Sequence, residues 1–139
     1  MRREPLNLRI VVLHAEPAQC AALCDFISDE VGFHVVGGVA GGEELLRLLA
    51  IVPTHILVLD LSSVGSEAPA LLAGVRAASP GSAILLVADG QSPAELEDLM
   101  THGATGYLAS ARAAHELTAA LRTVGMGRRY RPGGAPAPA

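Results

Sequence analysis

The sequence predicts an α/β domain, with one parallel sheet of five strands covered by helices on both faces. Three observations carry that reading. Short apolar runs rich in Val, Ile and Leu alternate with stretches whose apolar residues recur at three- and four-residue steps. The central runs ILVLDL and AILLVA are apolar at consecutive positions, as parallel strands buried on both sides must be. The chain has 139 residues and is 50% hydrophobic, enough for one core and too short for two domains. Right-handed crossovers between such strands produce a three-layer sandwich.

Strands are expected over Arg9–His14, Phe33–Ala40, His55–Leu61, Ser82–Ala88 and Thr105–Leu108. After Pro17, the residues Cys20, Leu23, Cys24, Ile27 and Val31 form the apolar stripe of the first helix. On that stripe the two cysteines read as small buried hydrophobes rather than as metal ligands. Leu45, Leu46 and Leu49 mark the second helix, and Leu71, Leu72, Val75 and Ala78 the third. The fourth has its own punctuation: Ser92 as N-cap, Pro93 at the first position, Glu95 closing a capping box, and Gly103 as the stop. Leu117, Ala120, Leu121 and Val124 line the fifth, which ends at Gly125. Gly37, Gly38, Gly41 and Gly42 lack the spacing of a dinucleotide loop and read as a turn between strand and helix. The domain is expected over residues 1–126. Residues 127–139, Arg-rich and then Gly, Ala and Pro, are expected to be a disordered tail in which Arg128, Arg129 and Arg131 are solvated.

Composition narrows the function classes. No apolar run approaches the ~20 residues of a membrane span, and no signal segment is legible. Two cysteines are too few for a disulfide framework, so a cytoplasmic location is expected. A net charge of −4, no Trp and only 3% aromatic residues argue against direct nucleic-acid binding. All ten basic residues are arginines, which excludes every mechanism that needs a lysine, the P-loop included. No G-x-S-x-G or HExxH motif is present, so no enzyme reading has residues to carry it.

In an open parallel sheet, chemistry gathers at the carboxyl ends of the strands. The residues there are His14, Ala15 and Glu16, then Asp60, then Ala88 and Asp89, and finally Ser110. Around these positions the segments RIVVLHAEP, VVGGVAGGEELLRLL, THILVLDL, PGSAILLVA and HGATGYL stand in order from about Leu8 to about Pro132. In these segments the chain resembles the receiver domains of bacterial response regulators, especially those preceding a helix-turn-helix output domain. The resemblance implies a doubly wound, flavodoxin-like sheet of order 2-1-3-4-5 and an aspartate that accepts a phosphoryl group from a histidine kinase. Asp60 matches that aspartate, and Tyr107 matches the switch aromatic of the fifth strand.

Other positions of the family's pattern depart. His14 and Ala15 stand where two acidic residues would hold Mg²⁺, Ala88 where a Thr or Ser would bond the phosphoryl group, and Ser110 where a Lys would pair with it. Val64 replaces the usual proline after the aspartate. The resemblance therefore implies an atypical receiver that keeps the scaffold and loses Mg²⁺ and any other cofactor. Two readings stay open: an interaction module that works without normal phosphorylation, or a working phosphoacceptor, including one from a DNA-binding regulator whose output domain is missing. Partners are expected to be another protein, a histidine kinase among them, or a second copy, with no nucleic acid and no membrane. The expected contact face carries Glu95, Glu97 and Asp98 on the fourth helix and Arg112 and Arg122 on the fifth, opposite charges that could meet across a two-fold axis. His14 and Asp60, at the ends of neighbouring strands, are expected to pair.

Overall fold

A computed structural model describes residues 7–132. The chain runs β1 (Leu8–Leu13), α1 (Pro17–Ser28), β2 (Phe33–Val39), α2 (Gly42–Ile51), β3 (Ile56–Asp60), α3 (Leu61–Val64) and a 3₁₀ turn (Gly65–Glu67). It continues through α4 (Ala68–Ala78), β4 (Ala83–Ala88), α5 (Pro93–Thr101), β5 (Gly106–Ala109), a second 3₁₀ turn (Ser110–Arg112) and α6 (Ala113–Gly125). The sheet order is β2-β1-β3-β4-β5 and every neighbouring pair is parallel. Strand order reverses between β1 and β3, and a ligand crevice belongs at that switch.

Alternate residues of each central strand feed two cores. Val11, Leu57, Leu59, Ile84 and Leu86 meet α2, α4 and α5 on one face. Ile10, Val12, Ile56, Val58, Leu85 and Leu108 meet α1 and α6 on the other. β3 is buried at all five positions, which explains its unbroken apolar run. The start of α5 is as expected: the Glu95 N–H donates to Ser92 Oγ, and Ser92 N–H donates to Glu95 Oε1.

Three expectations change. Val31 lies beyond α1 and is 80% exposed, because the helix ends at Ser28 and its stripe ends with it. Gly37 and Gly38 are strand residues of β2 rather than turn residues; only Gly41 and Gly42 lie at the turn into α2. A Cβ on Gly37 would meet Leu48 Cδ2 at 2.5 Å, and one on Gly38 would meet the Cys20 sulfur at 3.0 Å, so the glycines let α2 and α1 approach the strand. Cys20 and Cys24 are accordingly half-buried against the sheet, and burial, followed by Cys20, pushes the Cys24 thiol up to about 11.

The third change concerns the C-terminal segment. Residues 128–132 do not leave the domain at 126. Tyr130 pairs with Gly106 as a parallel bridge on the free edge of β5 and is buried in the α1–α6 core. Tyr130 N–H donates to the Thr105 carbonyl, and Tyr107 N–H donates to the Tyr130 carbonyl. One buried aromatic and two ladder bonds outweigh the solubility of the flanking arginines. The remainder of the expected tail, 133–139, lies outside the described residues.

Candidate functional site

Parallel pairing aligns Leu13 with Leu59, so the next residues, His14 and Asp60, emerge side by side at the switch point. Their side chains are 15% and 9% exposed, with His14 Nε2 at 3.6 Å from Asp60 Oδ2. The Glu16 N–H donates to His14 Nδ1, which leaves Nε2 as the ring nitrogen that presents a proton to Asp60. Asp60 also stands at the N-cap position of α3, and that single helical turn brings Ser63 back over it. The Ser63 hydroxyl donates to Asp60 Oδ2 at 2.6 Å, and the Ala15 N–H donates to Ser63 Oγ at 2.8 Å. A chain of hydrogen bonds thus runs from the loop after β1 through Ser63 to the carboxylate.

A cleft of about 390 Å³ opens above this pair. Ser110, at the start of the turn after β5, and Asp89, after β4, lie on its rim with Gln19 of α1. Ala88 is buried at the end of β4 and offers only a methyl group; Ala15 acts through its backbone. The structure therefore gathers His14, Asp60 and Ser110 in one place. Sequence reasoning missed Ser63, although the D-x-x-S spacing at a helix start was available, and it missed the α1 wall of the cleft, Leu23 and Phe26.

Tyr107 belongs to a second network at the edge of the sheet. Its hydroxyl donates to Glu97 Oε2 at 2.9 Å, and Arg131 grips the same carboxylate with two N–H groups at 2.8 and 2.9 Å. Arg131 first, then Tyr107, holds the Glu97 carboxyl down to about 2. On the other face Tyr130 donates to Glu116 Oε1 at 2.8 Å while Arg112 Nε donates to Oε2 at 3.0 Å. Two Tyr–Glu–Arg clamps therefore fasten the C-terminal segment, one on each side of β5.

These clamps rearrange the expected contact face. Glu97 and Arg112 are committed within the molecule, and Arg131 is bonded rather than solvated. Arg122 does not join the acidic residues of α5: it pairs with Glu30 at 3.1 Å and lies 5.2 Å over the Phe33 ring. Asp98 has His102 at 3.7 Å, and Glu95 is held in the capping box. The alternation of charges along two helices did not reveal that a third segment, 128–132, lies between them.

Compared with family models and with curated proteins, the sequence finds no match. Solved structures are similar in fold. The isolated REC domain of RcsB from Salmonella enterica serovar Typhimurium superposes with a TM-score of 0.83 at 20% identity, over 92% of this chain and 95% of that one. A two-component response regulator of the LuxR family from Aurantimonas sp. SI85-9A1 gives 0.82 at 25% identity, over 89% of both chains. RcsB in a structure of two dimers bound to two parallel DNAs gives 0.82 at 20% identity; the alignment covers 92% of this chain and 64% of that one. The chain has the receiver-domain fold, with the strand order that the resemblance implies. Among the described residues no helix is long and apolar enough to cross a membrane.

Proposed function

We propose that this chain, which has the fold of response-regulator receiver domains, is an atypical receiver module that signals by contacting another protein or a second copy of itself, without Mg²⁺-dependent phosphorylation of Asp60. The observation that carries this reading is that Asp60 already accepts the Ser63 hydroxyl at 2.6 Å and faces the His14 ring, not a second carboxylate, at 3.6 Å. Phosphoryl transfer needs little covalent chemistry from a protein and much electrostatic positioning of the transferring oxygens. Mg²⁺ asks for near-octahedral oxygen ligands. Beside Asp60 the neighbouring strand offers an imidazole and then an alanine, which do not fit that ion. Ala88 has no hydroxyl, and Ser110 has no charge, to receive a phosphoryl group.

The reading extends to the output side. Tyr107 is tied to Glu97 and Arg131, and Ala88 offers nothing to draw it inward, so the α5–β5–α6 face holds one arrangement set by packing. A fixed face suits a constitutive contact better than a switched one. Self-association is supported by the fold's likeness to RcsB, whose structure on DNA contains dimers.

Incubation with acetyl phosphate and millimolar Mg²⁺ followed by intact-mass measurement tests the proposal. No added phosphoryl mass and no change in amide resonances around Asp60 are expected. A stoichiometric adduct absent from Asp60→Asn would falsify it in favour of the phosphoacceptor reading.

A further inference from the structure

The cleft beside Asp60 is larger than the pairing of His14 with Asp60 requires. Its volume of about 390 Å³ lies within the range of small-molecule sites. One wall is α1, in which Ile27 is the single buried residue. From that wall Leu23 and Phe26 face the cleft, and Phe26 is 40% exposed. The floor and rim carry charge of one sign, from Asp60 and Asp89. No arginine lines the cleft and the chain contains no lysine.

From this combination we infer that the cleft binds a small organic ammonium ion with an apolar body. Its charge lies on the Asp60 and Asp89 side, and its apolar part lies against Leu23 and Phe26. The inference deepens the reading above, since a site that does not host phosphoryl transfer is available to a ligand. Electrostatics selects the class. An anion would meet two carboxylates and no cationic side chain other than a histidine whose Nδ1 already accepts the Glu16 N–H. A neutral hydrocarbon would cover Phe26 and leave the negative charge of Asp60 and Asp89 without a cationic partner in the cleft. An ammonium ion satisfies both sides, because a carboxylate in a low-dielectric cleft and an aromatic face each attract it. The His14–Asp60 separation of 3.6 Å is longer than a hydrogen bond, so an ammonium N–H reaching the carboxylate would be the stronger partner.

Two probes of one shape and opposite charge test this: 2-phenylethylammonium and phenylacetate, each titrated into the full chain and followed by amide resonances. Saturable shifts are expected with the amine at Phe26, Ser62 and Ser110, and none with the acid. Binding should weaken by about tenfold in Phe26→Ala and in Asp89→Asn, both exposed positions whose replacement leaves the core intact. Shifts of equal size with phenylacetate, no saturable shift with the amine, or amine binding unchanged in both variants overturns the inference. The outcome is separable from that of the acetyl phosphate experiment. A phosphorylated Asp60 in a protein that still binds the amine rejects the proposed function alone, and an unmodified Asp60 in a protein that ignores the amine rejects this inference alone.

Discussion

Asp60 shows how a residue's surroundings decide its chemistry. A carboxylate at the switch point of a parallel sheet is placed for catalysis, yet here its Oδ2 accepts a serine hydroxyl and faces an imidazole. Supplying carboxylate ligands should create an ion site: in His14→Asp, Ala15→Asp, millimolar Mg²⁺ is expected to shift the amides near Asp60, whereas the wild type stays unchanged. Silence in the double variant would mean that Ser63, not the lack of acidic neighbours at 14 and 15, closes the site. The tyrosines offer a second residue-scale test, since the chain has two and no tryptophan. Burial first, then Glu116, pushes Tyr130 up to about 12, and burial, then Glu97, raises Tyr107 above its usual value of 10.0. A raised pKa in the folded state favours the neutral phenol. Its stabilising contribution is therefore complete below pH 10 and fades as the pH climbs toward 12. Phenolate absorbance should show the tyrosines less ionised at pH 10 than free tyrosine, and Tyr130→Phe should remove the step near 12. A Tyr107→Phe protein whose remaining phenol titrates at 10 would contradict the buried clamp.

Among the elements, the segment 128–132 changes the molecule most relative to what its composition suggests. Gly106 admits it: a Cβ there would lie 2.9 Å from Tyr130 Cβ, so any larger residue drives the segment off the β5 edge. Tyr130→Ala is expected to cost about 3 kcal/mol in urea unfolding, the usual scale for truncating a buried aromatic. The Glu97–Arg131 clamp adds an acid signature. Because the Glu97 pKa is lowered from 4.5 to about 2, the contribution is present above 4.5 and is lost as the pH falls toward 2. The melting-temperature difference between wild type and Glu97→Gln should shrink across that window in calorimetric scans. A difference that is constant with pH would assign the effect to packing instead of charge.

For the whole molecule, the two cores share their central strands, and β3 and β4 bear on both. Leu85 is fully buried in the α1–α6 core, and Leu85→Ala is expected to lower stability by about 2–5 kcal/mol with unfolding still cooperative. Association is a different matter. Arg112 and Arg122 hold Glu116 and Glu30 of their own chain, so the Arg122→Glu variant should sediment as the wild type does, at low and at high salt. A change of species in that variant would place Arg122 in a contact between molecules.

What the sequence determined by itself was local and periodic. The runs at β3 and β4, the capping box at Ser92 and the apolar stripes of α2, α4 and α6 are written in neighbouring residues, and strand alternation placed His14 and Asp60 at one end of the sheet. The tertiary structure decided whatever depends on close approach between distant segments. Gly37 and Gly38 serve a strand because α1 and α2 press on it, Ser63 reaches Asp60 only because a single helical turn folds back, and Tyr130 becomes core only because Gly106 leaves room at a free edge. Charges behaved the same way. Glu97, Arg112 and Arg122 have partners selected by three-dimensional proximity, and a pattern along one helix carries no record of the segment that comes to lie beside it.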